Sequence, residues 1–181
     1  MKKKEFEFLE CLKNGKEGEI QVIKYLYNNY GYNWYFNYVG DSIEYQKKDI
    51  DLLMINKNTN DIISIEIKTD FTPYDNIFAE FLSSEEFKTP GCFIKTDADY
   101  ILYYFVKKGK IYILPVLQIK ELMNISNWKI GKAFDKVNTK KGLVRKTSLG
   151  YLIPIKDILK TIKLKNSIFN NCEVILWMYY A

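Results

Sequence analysis

Two runs of apolar residues flank a short polar turn, and no other feature constrains the fold of this 181-residue chain as tightly. Residues 49–56 (Asp-Ile-Asp-Leu-Leu-Met-Ile-Asn) and 62–69 (Ile-Ile-Ser-Ile-Glu-Ile-Lys-Thr) have the β-branched and apolar make-up of strands. Between them, Lys57-Asn58-Thr59-Asn60-Asp61 has the chemistry of a tight turn. The expectation is an antiparallel hairpin. Side chains alternate along a strand, so Ile63, Ile65 and Ile67 share one face, and Ser64, Glu66 and Lys68 share the other. Asp51 lies on the face of its strand that carries Leu53 and Ile55. The turn is centred between the two segments, so the register brings Asp51 beside Glu66 and Lys68.

A Glu-x-Lys pair on the wet face of a strand is common, and so is an Asp before an apolar run. The two together across one hairpin point to chemistry. Paired carboxylates bind a divalent cation, which polarises a phosphate and activates water. An ammonium group beside them orients that water or steadies the charge of the transition state. The chain contains no histidine, which removes Ser-His-Asp and Cys-His catalysis, histidine bases and His-ligated zinc. Its three cysteines, Cys11, Cys92 and Cys172, form no CxxC pair and no zinc spacing. A site of oxygen ligands alone favours magnesium, manganese or calcium.

The segment from Gly18 to Tyr30 has apolar side chains at Ile20, Ile23, Leu26, Tyr27 and Tyr30, a helical period that ends at Gly31. Glu19 falls at the edge of that stripe, where a carboxylate needs a partner such as a metal or Lys68. The bland alternative is an acid favoured near a helix N-terminus. Another helical turn is expected over 6–12. Further strands are expected at 33–39, 76–82, 100–106, 110–116, 151–155 and 174–180, with helices at 117–123 and 156–163. Ser83 to Pro90 reads as a loop or short helix, and Thr96 as the cap of a turn at Asp97–Asp99. Residues 127–150 read as irregular and basic. The sum is one α/β domain with a mixed central sheet flanked by helices, its core over about 15–116 and a basic lobe over 117–181.

That lobe is lopsided in charge. From Lys107 to Lys165 there are fifteen basic residues against Glu121, Asp135 and Asp157. Such a surface suits a polyanion. Lys95, Lys140, Lys141, Arg145 and Lys146 are the candidate phosphate contacts, a solvated lysine-rich face being the alternative. Trp34, Trp128 and Trp177 read as core or edge packing. No apolar run approaches the roughly 20 residues of a membrane span. Met1-Lys2-Lys3-Lys4 leads into Glu5, Glu7 and Glu10 rather than a signal-peptide core. A cytoplasmic location is expected.

The run Gly18-Glu19, then Ile50-Asp51-Leu52-Leu53, then Ile65-Glu66-Ile67-Lys68-Thr69 resembles the PD-(D/E)xK nuclease superfamily, which includes type II restriction endonucleases and Holliday-junction resolvases. The resemblance covers roughly the first seventy residues and implies a restriction-endonuclease-like core. It makes Asp51 the motif aspartate, Glu66 the second metal ligand, Lys68 the catalytic lysine and Glu19 the helix carboxylate. The proline that names the motif is missing, Lys48-Asp49-Ile50 standing before Asp51. Asp49 therefore competes for the metal, and the Ile-Asp-Leu unit favours Asp51. Asn76 and Glu80 stand where some members place an extra polar residue. The activity implied is magnesium-dependent hydrolysis of DNA, with manganese as substitute, as an endonuclease rather than an exonuclease. A homodimer is implied where both strands are cut. An inactive nucleic-acid-binding module and a nuclease acting on RNA are the alternatives.

Overall fold

The computed structural model describes residues 17–125, 127–139, 142–164, 167–169 and 171–175, the side chains of 135–145 and 175 excepted. The expected first turn at 6–12, Cys11, Lys140, Lys141, Trp177 and the end of the expected closing strand lie outside these residues, as does the side chain of Arg145.

The hairpin forms as expected. Strand β1 (Trp34–Tyr38) pairs antiparallel with β2 (Leu52–Asn56), and β2 pairs antiparallel with β3 (Ile62–Asp70). The turn is closed by the Asn56 side chain, whose Oδ1 accepts the amides of Asn58 and Thr59 at 2.9 and 3.1 Å. Asn60 takes a left-handed φ of 60°, which Asn tolerates better than most residues.

Beyond β3 the chain leaves the sheet through β4 (Asn76–Ser84), β5 (Thr89–Pro90) and the short helix α3 (Cys92–Lys95), which α2 (Ile43–Gln46) precedes in the chain. It returns as β6 (Tyr100–Phe105), parallel to β3, and turns back through Val106–Lys108 into β7 (Lys110–Pro115). Strand β10 (Glu173–Ile175) pairs with β7. The resulting mixed sheet has the order β1-β2-β3-β6-β7-β10. Helices α4 (Val116–Ile125) and α5 (Ile155–Thr161) complete the described elements together with α1 (Glu17–Tyr30).

The region 127–150, expected to be irregular, is a long hairpin instead. Strands β8 (Lys129–Thr139) and β9 (Gly142–Pro154) pair in register from Lys129↔Leu152 to Thr139↔Gly142. Together with β4 and β5 they build a second, four-stranded sheet of order β5-β4-β9-β8. Strand β8 is rich in polar and small residues, so it lacks the apolar alternation that marks β3. It pairs with β9, which is held in turn by β4, where Ile77 faces Ile153. Thr96 makes the expected capping bond, its hydroxyl accepting the Ala98 amide at 3.0 Å, and it also donates to the Asp49 carbonyl at 2.8 Å.

Each face of the six-stranded sheet buries its own apolar cluster. On one face Val22, Ile23 and Leu26 of α1 pack over Leu52, Met54, Ile65, Ile67 and Leu102. Full burial of these three helix side chains is worth roughly 1.5–3 kcal/mol each, which fixes α1 against β3. The inner face of α1 is rotated from the expected stripe: Val22 and Tyr25 are buried, and Tyr27 is 39% exposed. The opposite face packs Leu53, Ile101, Tyr103 and Phe105 against Ile77, Phe93, Ile119, Ile153 and Ile158. Trp34 is buried and Trp128 packs on that second cluster. Among the described residues no helix is long and apolar enough to cross a membrane.

Candidate active site

Asp51 stands at the point where β2 and β3 part. Its amide still donates to the Ile65 carbonyl at 2.9 Å. Its carboxylate then takes over from the backbone: Oδ2 accepts the Ile67 amide at 2.8 Å. The side chain thus satisfies a donor that the departing strand no longer serves, and is locked in one orientation by doing so.

Glu66 is the next residue of that face, 3% exposed. Lys68 Nζ lies 2.7 Å from Glu66 Oε1, with the lysine side chain about a third exposed at 36%. The Asp51 carboxylate stands close enough for its charge to act on Glu66. Burial pushes the Glu66 carboxyl up to about 8, with Lys68 pulling it down and the Asp51 charge pushing it up. Lys68 moves the other way from most buried amines. Burial opposes its charge, but the charges of Cys92, Glu66 and Asp51 outweigh that and raise it. Burial also pushes the Cys92 thiol up to about 12, so near neutrality it is uncharged and Lys68 is answered by the carboxylates alone.

Compared with family models, curated proteins and solved structures, the chain matches none of them. The assignment of the site therefore stands on its geometry and on the motif.

Asp49 is not a rival for this cluster. Strand alternation had placed it on the face of Asp51, but β2 begins only at Leu52. Asp49 ends a turn with φ 47°, and its carboxylate pairs with Lys95 Nζ at 2.9 Å. Lys95, expected at phosphate, is engaged by that pair and by the Gln46 carbonyl at 3.1 Å. Asp99, at the end of the turn that Thr96 caps, ties β3 to the start of β6 by accepting the Ser64 amide and hydroxyl at 2.7 and 2.8 Å. Lys146 is half-buried on β9, opposite Asp135 in the ladder.

Glu19 arrives from the other side. Gly18 sits hard against the Thr69 side chain at the end of β3, leaving no room for a Cβ. That contact sets the start of α1, and with it Glu19, beside the strand that carries the site. The Glu19 carboxylate accepts the Tyr38 hydroxyl at 3.2 Å. Among the described residues no three His, Cys, Asp or Glu side chains gather closely enough to hold a metal ion. The expected three-carboxylate set of Asp51, Glu66 and Glu19 is therefore not assembled. Asp51 and Glu66 form a pair, and Tyr38 takes Glu19.

Tyr38 is the member that the sequence did not disclose. It pairs with Leu52 in the ladder, one residue from Asp51. Burial raises its hydroxyl pKa, and the charges of Glu19, Asp41 and Asp51 raise it further. Gly40 makes room for it, since a Cβ there would meet the Tyr38 oxygen at 2.6 Å. A Tyr two residues before a glycine was the available signal. Glu80 lies on the far side of the site, where its charge acts on Cys92. Asn76 begins β4 and is half-buried.

Proposed function

We propose that this chain is a metal-dependent phosphodiesterase that cuts DNA, with a restriction-endonuclease-like core. The observation that carries the reading is the convergence of Asp51, Glu66 and Lys68 at one buried point of the β2–β3 hairpin. Two adjoining carboxyl groups are a fitting donor set for Mg²⁺ or Mn²⁺, which need only one or two carboxylates beside water and phosphate. When bound, the cation would polarise the phosphate and activate the attacking water.

The chain's own groups supply the rest. Asp51 is oriented by the Ile67 amide, and Glu66 by Lys68. Lys68 is about a third exposed, and it carries a charge held firmly in place. It is positioned to donate to a non-bridging phosphate oxygen and to offset charge built up in the transition state. Burial around Glu66 keeps the local dielectric low, so these interactions count for more than they would in water. Tyr38 and Glu19 brace the corner where α1 meets β3. Cleavage within a strand, action as a homodimer and a cytoplasmic setting belong to the same reading.

Cleavage of supercoiled plasmid in Mg²⁺ and in Mn²⁺ tests it. Wild-type protein should nick or linearise the plasmid, and Lys68→Ala should not, while keeping its circular dichroism spectrum. Cleavage by Lys68→Ala at the wild-type rate would remove the assignment. The pairing of Asp51 and Glu66 without a third carboxylate favours one competitor, an inactive nucleic-acid-binding module. Titration calorimetry separates the two. The enzyme reading requires Mg²⁺ or Mn²⁺ binding that depends on Asp51 and Glu66. Comparison of DNA and RNA oligonucleotides as substrates decides between DNA and RNA.

A further inference from the structure

A groove of about 710 Å³ opens where β3 ends, between the two sheets. Its floor is Thr69, Asp70 and Tyr103, and its walls include Phe78 of β4 and Leu152 of β9. The volume lies in the range of sites for small organic groups. Asp70 is two residues beyond Lys68 on the same strand face, a rise of about 7 Å and about the span of one nucleotide. The groove thus begins one nucleotide away from the candidate catalytic lysine.

Its rim is unusual for a solvent-facing loop. Phe71 is 59% and Tyr74 65% exposed. Both sit on a segment pinned at each end. Asp70 accepts the Thr72 amide at 2.6 Å, and Lys108 donates to the Tyr74 carbonyl at 2.7 Å and pairs with Asp75. The two rings are therefore presented to solvent on an anchored loop. Glycine lets the opposite wall pack closely, Gly131 lining the groove. Gly131 and Gly150 face each other across the β8–β9 ladder. A Cβ on Gly131 would meet Leu152, and one on Gly150 would meet the Phe78 ring, each at 2.8 Å. Exposed Lys129 and Lys132 stand on that side, Lys132 also pairing with Glu85 at 3.1 Å. The acid in the floor is already engaged, Asp70 accepting the Tyr103 hydroxyl at 2.8 Å.

Exposed aromatic rings, a slot with glycine in its wall and basic side chains at the rim suit a planar base with its phosphate. We propose that this groove takes an unpaired nucleotide next to the phosphate to be cut. The substrate class is then DNA with a single-stranded stretch at the cleavage site, rather than fully paired duplex. The inference rests on the nuclease reading above for the position of the cut, but the binding it describes can be measured without cleavage.

The test is fluorescence anisotropy in EDTA, with labelled oligo(dT) and a labelled blunt duplex, on wild-type protein and on Phe71→Ala/Tyr74→Ala. Both rings are exposed, so the variant should fold, and thermal melting verifies this. A stacked base is worth about 1–3 kcal/mol, so the variant should bind oligo(dT) at least about fivefold more weakly. Its duplex affinity should stay within about twofold. Absence of oligo(dT) binding by wild-type protein, no loss in the variant, or an equal loss on both ligands would overturn the proposal. Failure of the nuclease reading looks different: no cleavage of any nucleic acid, with ring-dependent oligo(dT) binding intact.

Discussion

The Asp51 carboxylate accepts the Ile67 amide at 2.8 Å, one residue from Glu66 and one from Lys68. One side chain thus finishes the β2–β3 ladder and forms half of the carboxylate pair. Fold and chemistry meet in that bond, and they can be separated by substitution.

Asp51→Asn keeps an oxygen for the Ile67 amide and removes the charge. It should fold with stability close to wild type and lose cleavage. Asp51→Ala leaves that amide without its acceptor, at a cost of about 1–3 kcal/mol. Urea denaturation of both variants, beside a plasmid assay, checks this. Equal stability of the two would show that the bond does not hold the hairpin.

Stability in the absence of metal should fall as pH rises. The Glu66 carboxyl is raised from 4.5 to about 8 in the folded protein, so the folded state keeps a proton that the unfolded chain releases. Its contribution is fully present below about 4.5 and is lost as pH climbs through 8. At roughly 1.4 kcal/mol per unit, a loss on the order of 4 kcal/mol across that window is expected. Glu66→Gln does not titrate and should show a flatter profile. Urea midpoints at pH 5 and pH 8.5 measure the difference, and parallel profiles would refute the raised Glu66 carboxyl.

The contact between Gly18 and Thr69 predicts that Gly18→Ala displaces the start of α1. Overpacking at a stiff β-branched neighbour costs about 1–3 kcal/mol, against the gain in helix propensity that alanine brings elsewhere. Thermal melting should therefore show destabilisation, and cleavage should drop as Glu19 moves. A stabilised Gly18→Ala protein would mean that the contact relaxes freely.

Tyr38→Phe removes the hydroxyl that Glu19 accepts. A loss of about 1 kcal/mol in stability is expected, with a lower cleavage rate and a retained fold. An unchanged rate would place Tyr38 and Glu19 outside the working site.

The hairpin and its reactive face were legible because period-two alternation and turn residues are local signals. Ile65, Glu66, Ile67 and Lys68 declare their faces by sequence alone. Asp49 misled because its left-handed turn is held by Lys95, 46 residues away, and nothing near it in sequence announces that pair. The β8–β9 hairpin was hidden for a similar reason. Gly131, Ala133 and Gly150 carry no strand signal, and their order comes from pairing with β4 and from the rings they accommodate. Glu19 was expected to join the carboxylates, and its partner Tyr38 was not foreseen, because the two lie 19 residues apart and meet only in the fold.

The most direct test is a crystal soaked in Mn²⁺, with anomalous scattering used to locate the ion. The account predicts a manganese peak between the carboxylates of Asp51 and Glu66, absent from Asp51→Asn. A peak elsewhere, or none at this pair in crystals that remain intact, would contradict it.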